Sequence, residues 1–394
     1  MKRLLLLALL GLLAGCGAPA PTIAPEALRN PPTLVSPGWT EATTPITLEN
    51  ISSLAFLGRL DPPSVLSTLF TADISPDGTR MVGLSSEEIL SWNLVSGALD
   101  FASARLDATQ VYYSPDKTEV YAVFTNGNTN ILNADTGVLK NNFNGHQNFN
   151  GTTAYYPTVG WLALGGGDGT VRVWDTLERT SLVTIEAHNG SVAALAFSPD
   201  GTRLLTGSAS GQLRLWDWAA RAQIAEAQIS TPPIKLAFSP DGAQIAIGTG
   251  SGALLWTPGS DPQSIQTGQG GASTFLTYSP NGQHLVGGSL QSGLYLWTPD
   301  NGALVSRFPG VIGERVGLAF SPDGTMMATS VLGGAVSIWN LGSITDQGVA
   351  RADLPVGTDR IFDLRWTPDG LLLLLFDASG TVYVWGVGQS TPAP

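Results

Sequence analysis

Disulfide chemistry has no place in this chain, because Cys16 is the only cysteine among 394 residues and one thiol has no internal partner. Basic clusters are missing too. Lysine and arginine number 19 against 31 acidic side chains, a formal charge of -12, and they never gather into a stripe, so nucleic-acid binding lacks its electrostatic driving force. Histidine is scarce: His146, His188 and His284 lie far apart, and no two have metal-ligand spacing. Neither a Gly-x-Ser-x-Gly nucleophile elbow nor a Walker loop is present. The apolar run from Leu4 to Leu13 is too short to cross a bilayer.

What the chain does have is 47 glycines, 26 prolines, abundant Val, Leu, Thr and Trp, and 43% hydrophobic residues. That composition suits many short strands and tight turns around a large core, with almost no helix. At the N-terminus, Met1-Lys2-Arg3 followed by Leu4 to Leu13 reads as a signal peptide. Its end, Leu13-Ala14-Gly15-Cys16, resembles the bacterial lipobox. The resemblance implies cleavage after residue 15, a diacylglycerol on Cys16, and export to a cell membrane or outer membrane, facing periplasm or exterior. An ordinary secretory signal with an incidental cysteine is the alternative. The processed chain keeps 17 basic and 31 acidic side chains, a charge of -14. Residues 16–44, with Pro19, Pro21, Pro25, Pro31, Pro32 and Pro37, read as a tethering linker of extended geometry. Residues 389–394 read as a tail, leaving 45–388 as the folded domain.

An internal repeat decides the fold of that domain. The token Ser75-Pro76-Asp77-Gly78 recurs as Ser114-Pro115-Asp116-Lys117, Ser198-Pro199-Asp200-Gly201, Ser239-Pro240-Asp241-Gly242, Ser279-Pro280-Asn281-Gly282, Ser321-Pro322-Asp323-Gly324 and Thr367-Pro368-Asp369-Gly370, with a degenerate copy at Tyr155-Tyr156-Pro157. A second landmark follows each: Trp92, Leu132, Trp174, Trp216, Trp256, Trp297, Trp339 and Trp385. A period of 40 to 46 residues between landmarks is that of a propeller blade. In each token Pro presets the turn, Asp tolerates its third position and Gly supplies positive φ. One repeat then divides into strands at Val192 to Phe197, Arg203 to Gly207, Gln212 to Trp216 and Gln223 to Gln228, here named a to d.

Ala187-His188, Phe197-Ser198-Pro199-Asp200-Gly201, Leu205-Thr206-Gly207-Ser208 and Leu213-Arg214-Leu215-Trp216-Asp217 resemble a WD40 repeat from end to end, as does Asp168-Gly169-Thr170-Val171-Arg172-Val173-Trp174-Asp175. The resemblance implies an all-β WD40-type β-propeller over residues 45 to 388. The Trp-Asp pair survives only twice, so several blades are expected to lack the family's His-Ser-Asp-Trp network. Ile51 to Leu60 resembles an outer strand d, which little after Trp385 can supply. We therefore expect eight four-stranded blades with the N-terminal strand closing the last; seven blades is the alternative.

The WD40 resemblance implies that His146 couples to Asp168 within a structural network with Trp174, and that His188 has Ser208 and Ser210 nearby, beside Trp216. Alignment of the inner strands puts Asp73, Tyr112, Ala154, Ala196, Ala237, Thr277, Ala319 and Arg365 at one level. Two residues earlier lie Thr71, Gln110, Thr152, Ala194, Lys235, Phe275, Gly317 and Asp363. A buried arginine needs carboxylates, so Asp73, Asp363 and Arg365 are expected to form a structural ionic cluster at the closure. The resemblance implies partner binding through the d–a and b–c loops, which makes His146 and Asn148, and Glu314, Arg315, Asp359 and Arg360 just before or at the start of strand a, candidate contact residues; solvated rim charges are the alternative. The aspartates of the tokens stand one per blade, too dispersed for calcium, and neither metal nor cofactor is expected.

These readings favour a monomeric, non-enzymatic, membrane-tethered interaction scaffold of the cell envelope, binding a protein, peptide or glycan. A propeller hydrolase, dehydrogenase or ligand-binding protein using the central channel is a second reading. An outer-membrane assembly factor is a third, by architectural analogy alone.

Overall fold

The computed structural model describes residues 39–63, 69–104, 107–265, 273, 275–289, 293–308, 317–330, 336–343, 350–354 and 361–388. Among them the strands form eight antiparallel sheets arranged as blades around a central channel, with strand a of one blade against strand a of the next between blades 1 and 2, 3 and 4, 4 and 5, 5 and 6, and 7 and 8. The repeat beginning at Val192 forms blade 4, with strands Val192–Phe197, Arg203–Ser208, Gln212–Asp217 and Ala222–Gln228. Its bounds match the expected ones to within a residue. The second strands are buried on both faces, as in Glu119–Phe124 of blade 2 and Leu372–Asp377 of blade 8. A strand sandwiched between two neighbouring sheets has no wet side, which is why these runs do not alternate. The core is accordingly distributed between blades: Val82, Leu84 and Phe101 of blade 1 pack against Val111, Val120 and Ala122 of blade 2.

The tokens are hairpin turns, as their sequence predicts. In blade 4, Gly201 N–H donates to Ser198 O (2.8 Å), and Ser198 Oγ accepts from Arg203 N (2.9 Å) while donating to Asp200 Oδ1. Gly201 has φ +72°, and Lys117, which replaces that glycine in blade 2, is forced to +65°. Lys117 Nζ reaches Asp77 Oδ2 of the preceding turn (2.9 Å), so its charge ties blade 2 to blade 1. Because Ser198 is buried and serves both partners, Ser198→Ala is expected to cost about 1–3 kcal/mol, read as a lower urea midpoint.

Closure follows the expected clasp and goes further. Strand Ala55–Leu60 pairs with the last strand, Val382–Gly388, as the outer strand of blade 8, with Phe56 opposite Trp385 and Leu60 opposite Val382. A short strand, Ala42–Thr44, also pairs with the end of that last strand. It lies within the stretch read as linker, so the folded structure begins earlier than residue 45. Trp39 packs its ring over Gly58 and Gly97 and donates Nε1–H to Val95 O (2.7 Å). Any side chain at either glycine would collide with that ring.

The ring has two faces. One carries the a–b tokens and c–d turns, and we call it the turn face. The other, the loop face, carries the b–c turns and d–a loops. Ile46 N donates to Gly370 O in the a–b turn of blade 8 (2.9 Å), and Val95 sits in the c–d turn of blade 1. Both anchors place the N-terminal segment at the turn face.

Candidate functional site

On the loop face the best-formed feature spans blades 3 and 4. Gly169 in the b–c turn of blade 3 has φ +82°, and its carbonyl accepts from Ala187 N and His188 N (3.0 Å each), drawing the next d–a loop against the turn. His188 Nε2 shares a hydrogen bond with Thr206 Oγ1 (2.8 Å), and Trp216 Nε1–H donates to the same oxygen (3.1 Å). Its other ring nitrogen meets Gln212 Oε1 (3.3 Å). The expected neighbours Ser208 and Ser210 bond each other instead (2.8 Å). Thr206 wins because it lies on strand b, ten residues before the landmark Trp and level with its indole N–H. Blade 7 repeats this with Trp339 donating to Thr329 Oγ1 (2.8 Å). Where Leu375 takes that position before Trp385, the buried indole N–H has no partner.

In blade 3 the expected His146–Asp168 bond is relayed. His146 Nε2 meets Thr170 Oγ1 (2.9 Å), Thr170 Oγ1–H donates to Asp168 Oδ1 (2.8 Å), and Asn148 Nδ2 donates to Asp168 Oδ2 (2.7 Å). Asp168 loses some hydration, yet Asn148 and Thr170 hold its carboxyl down to about 2. Trp174 Nε1–H turns to Gly145 O (2.9 Å), since Leu164 stands ten residues before it. His146 is 1% exposed, so it holds the loop and does not reach a partner. Gln147, Asn148 and Asn150 are exposed there.

Burial pushes His146, His188 and His284 below the usual imidazole range. A depressed histidine contributes stability above its unfolded value of about 6.5 that is lost as pH falls toward its folded value. The urea midpoint is therefore expected to fall between pH 7 and pH 5, and His188→Gln should flatten that dependence.

In the channel the predicted levels are correct. Asp73, Tyr112, Ala196, Ala237 and Arg365 pair with equivalent positions of their second strands: Val82, Tyr121, Leu205, Ala246 and Leu374. The ionic cluster forms only in part. Arg365 Nε lies 3.1 Å from Asp363 Oδ2, but no salt bridge joins Arg365 to Asp73 among the described residues. Asp73 Oδ2 instead accepts from Tyr113 N of the next blade (2.8 Å), and Tyr155 Oη–H donates to Tyr113 O (2.8 Å). Strand a is an edge strand whose outward backbone groups need partners, and this pair of side chains supplies them. Burial pushes the Asp73 carboxyl up, against the pull of the Tyr113 amide and the more distant Arg365.

Glu314, Arg315, Asp359, Arg360 and Cys16 lie outside the described residues. Among those described, no group of three or more His, Cys, Asp or Glu is arranged to hold a metal ion, and no helix is long and apolar enough to cross a membrane.

The profile of the family "WD domain, G-beta repeat" matches residues 137–175, 179–217 and 305–340. Two solved structures superpose with a TM-score of 0.65. They are the C-terminal WD40 domain of Sif2, at 14% identity covering 84% of this chain and 98% of that one, and the computationally designed Ika8 protein, at 18% identity covering 82% and 96%.

The chain is a β-propeller that carries WD40 repeats.

Curated relatives share pieces of this WD40 ring. Mitotic checkpoint protein bub-3 of Caenorhabditis elegans is 36% identical over 14% of this chain and 16% of its own length. Eukaryotic translation initiation factor 3 subunit I of Pyricularia oryzae is 33% identical over 25% and 28%. Actin-interacting protein 1 of Drosophila melanogaster is 21% identical over 56% and 38%. The chain thus spans less than half the length of each of these relatives. The two repeats that keep the Trp-Asp pair, blades 3 and 4, are also those whose loops the histidines hold.

Proposed function

We propose that the propeller is a non-enzymatic interaction platform, tethered to a membrane through Cys16 and presenting its loop face to a protein, peptide or glycan of the cell envelope. The observation that carries this reading is where the chain enters the ring. Trp39 and Ile46 are fastened at the turn face, and Gly388 pairs with Ala42 beside them, so the described chain enters and leaves the ring at the turn face. A tether at Cys16 would hold the turn face toward the bilayer and the loop face away from it. On that face the hydrogen-bonded histidine loops give Gln147, Asn148 and Asn150 a rigid base, which lowers the ordering cost of binding. The relatives named for partners, such as Actin-interacting protein 1, are consistent with such use of a WD40 ring.

Crosslinking in intact cells tests both halves. Cys16→Ser is expected to move the protein from the membrane to the soluble fraction. Asn148→Arg with Asn150→Arg should abolish the dominant crosslink, while Asp261→Lys on the turn face should leave it. If both faces' variants retain the crosslink, the platform face is misassigned.

A further inference from the structure

The sequence contains only four lysines: Lys2, Lys117, Lys140 and Lys235. Lys117 and Lys140 are paired with Asp77 and Glu119. Lys235 has no such partner among the described residues, and it lies on the inner strand of blade 5, Pro233–Phe238. Its direction is set by the backbone. The ladder between Pro233–Phe238 and Ile245–Thr249 slips by one residue at Ile234, so that Lys235 stands opposite Gly248. A bulge re-aims the side chain that follows it. On this level residues lean toward the next blade: Thr152 Oγ1 reaches Val192 O (3.3 Å), and Gly317 lies against Asp363 and Leu364. A side chain built on Gly248 would meet both Lys235 Cβ and the Ser273 carbonyl of blade 6, so Lys235 leaves the sheet on the face turned to blade 6.

The surroundings offer this ammonium little. Around blades 1 to 3 the channel wall is polar and internally satisfied, with Asp73 and Tyr155 on Tyr113 and with Tyr112 Oη on Thr153 Oγ1 (2.9 Å). Around blades 4 to 7 the same two levels hold, besides Lys235, Ala194, Ala196, Ala237, Phe275, Gly317 and Ala319, and the one hydroxyl there, that of Thr277, is turned to its own neighbour's carbonyl, Tyr278 O (3.3 Å). Lys235 is nonetheless exposed. Water therefore reaches it from the channel although protein surrounds it on most sides, and that crowding alone pushes its ammonium below the usual lysine range. A cation kept accessible, poorly hydrated and without a carboxylate is poised for an anion from outside, since pairing restores the hydration it has lost. Small residues beside it leave room for the group that brings the anion.

We propose that the wall of the channel at blades 4 to 6 is a carboxylate-binding site, in which Lys235 pairs with the carboxylate of a small organic acid or of a peptide C-terminus. The site is separate from the loop face, so it stands or falls independently of the platform reading.

The scarcity of lysine makes the test direct. Reductive methylation with ¹³C-formaldehyde labels very few side chains in the full-length protein, and Lys235→Met assigns the channel resonance. Titrations would use succinate, N-acetyl-Gly-Ala-Ala with a free C-terminus, and the same peptide as its C-terminal amide. Selective movement of the Lys235 resonance by either acid, with Lys117 and Lys140 still and the amide without effect, supports the site. Which acid acts identifies the source of the carboxylate. Calorimetry on unmethylated protein should show affinity for that acid weakened at least tenfold in Lys235→Met and largely retained in Lys235→Arg. No movement with either acid, equal movement of all the lysines, or equal binding of acid and amide would overturn the proposal. Unchanged circular dichroism of Lys235→Met separates loss of the site from loss of the ring.

Discussion

Deleting residues 1–60 is expected to abolish cooperative unfolding of the ring and to turn the monomer fraction into oligomers on size-exclusion chromatography. Strand Ala55–Leu60 completes blade 8, and its Leu57 and Leu60 are 2% and 1% exposed, in a cluster with Met81, Leu374 and Phe376. Losing two such leucines costs about 4–10 kcal/mol by analogy with large-to-small core substitutions, which rivals the whole stability of an ordinary domain. The deletion also bares the outer edge of Val382–Gly388, and an unpaired edge recruits other chains. Leu57→Ala is the milder control. It should lower stability by about 2–5 kcal/mol while leaving a monomer, which separates the packing contribution from the loss of the strand.

Glu119→Ala is expected to cost about 3 kcal/mol, the largest effect of any single charge removal in the ring. The Glu119 side chain is only 6% exposed and meets two cations, Lys140 of its own blade and Arg179 of blade 3, the latter at 3.0 Å. Arg179 takes positive φ (+59°) at its turn, a conformation that costs a non-glycine residue about 1–2 kcal/mol. The pairing offsets that strain. Both cations are more than a third exposed and can regain water when the carboxylate goes, which keeps the estimate at the low end for a buried pair. A double-mutant cycle of Glu119→Ala with Arg179→Gly measures the coupling by urea denaturation. The strain that Arg179→Gly relieves is common to the single and double variants and cancels, whereas the ion pair is lost in each single variant but only once in the double, so the double variant should be more stable than the sum of the single effects implies.

The ring itself was legible because its determinants are local. A Ser-Pro-Asp-Gly turn needs only neighbours in sequence, and the token and the Trp landmark recur often enough to fix blade length, strand order and the eightfold count. The clasp was legible because Ile51 to Leu60 had no other strand to complete. Partner choice was harder, because it depends on distances between strands. His188 selects Thr206 over Ser208 through the level of the Trp216 indole, and the signal was a hydroxyl ten residues before the landmark Trp, present at Thr206 and Thr329 and replaced by Leu375 in blade 8. The level of Asp73 is legible in the sequence, but its hydrogen-bond partner is not. Charge complementarity suggested Arg365, while the nearer need was the open backbone of Tyr113, which sequence patterns do not display. The extra strand at Ala42–Thr44 was hidden by the prolines on either side of it.

The clasp also sets an order of events during synthesis. Ala55–Leu60 leaves the ribosome early, and its partner Val382–Gly388 follows roughly 320 residues later. At about 5–20 residues per second that is a wait of tens of seconds. Throughout it the nascent chain displays an unmated strand with two leucines destined for burial, and seven blades can form before the eighth is able to. A chaperone that shields one short segment near the N-terminus would protect the whole molecule, and a stop codon anywhere before Val382 would leave that segment permanently open to proteases.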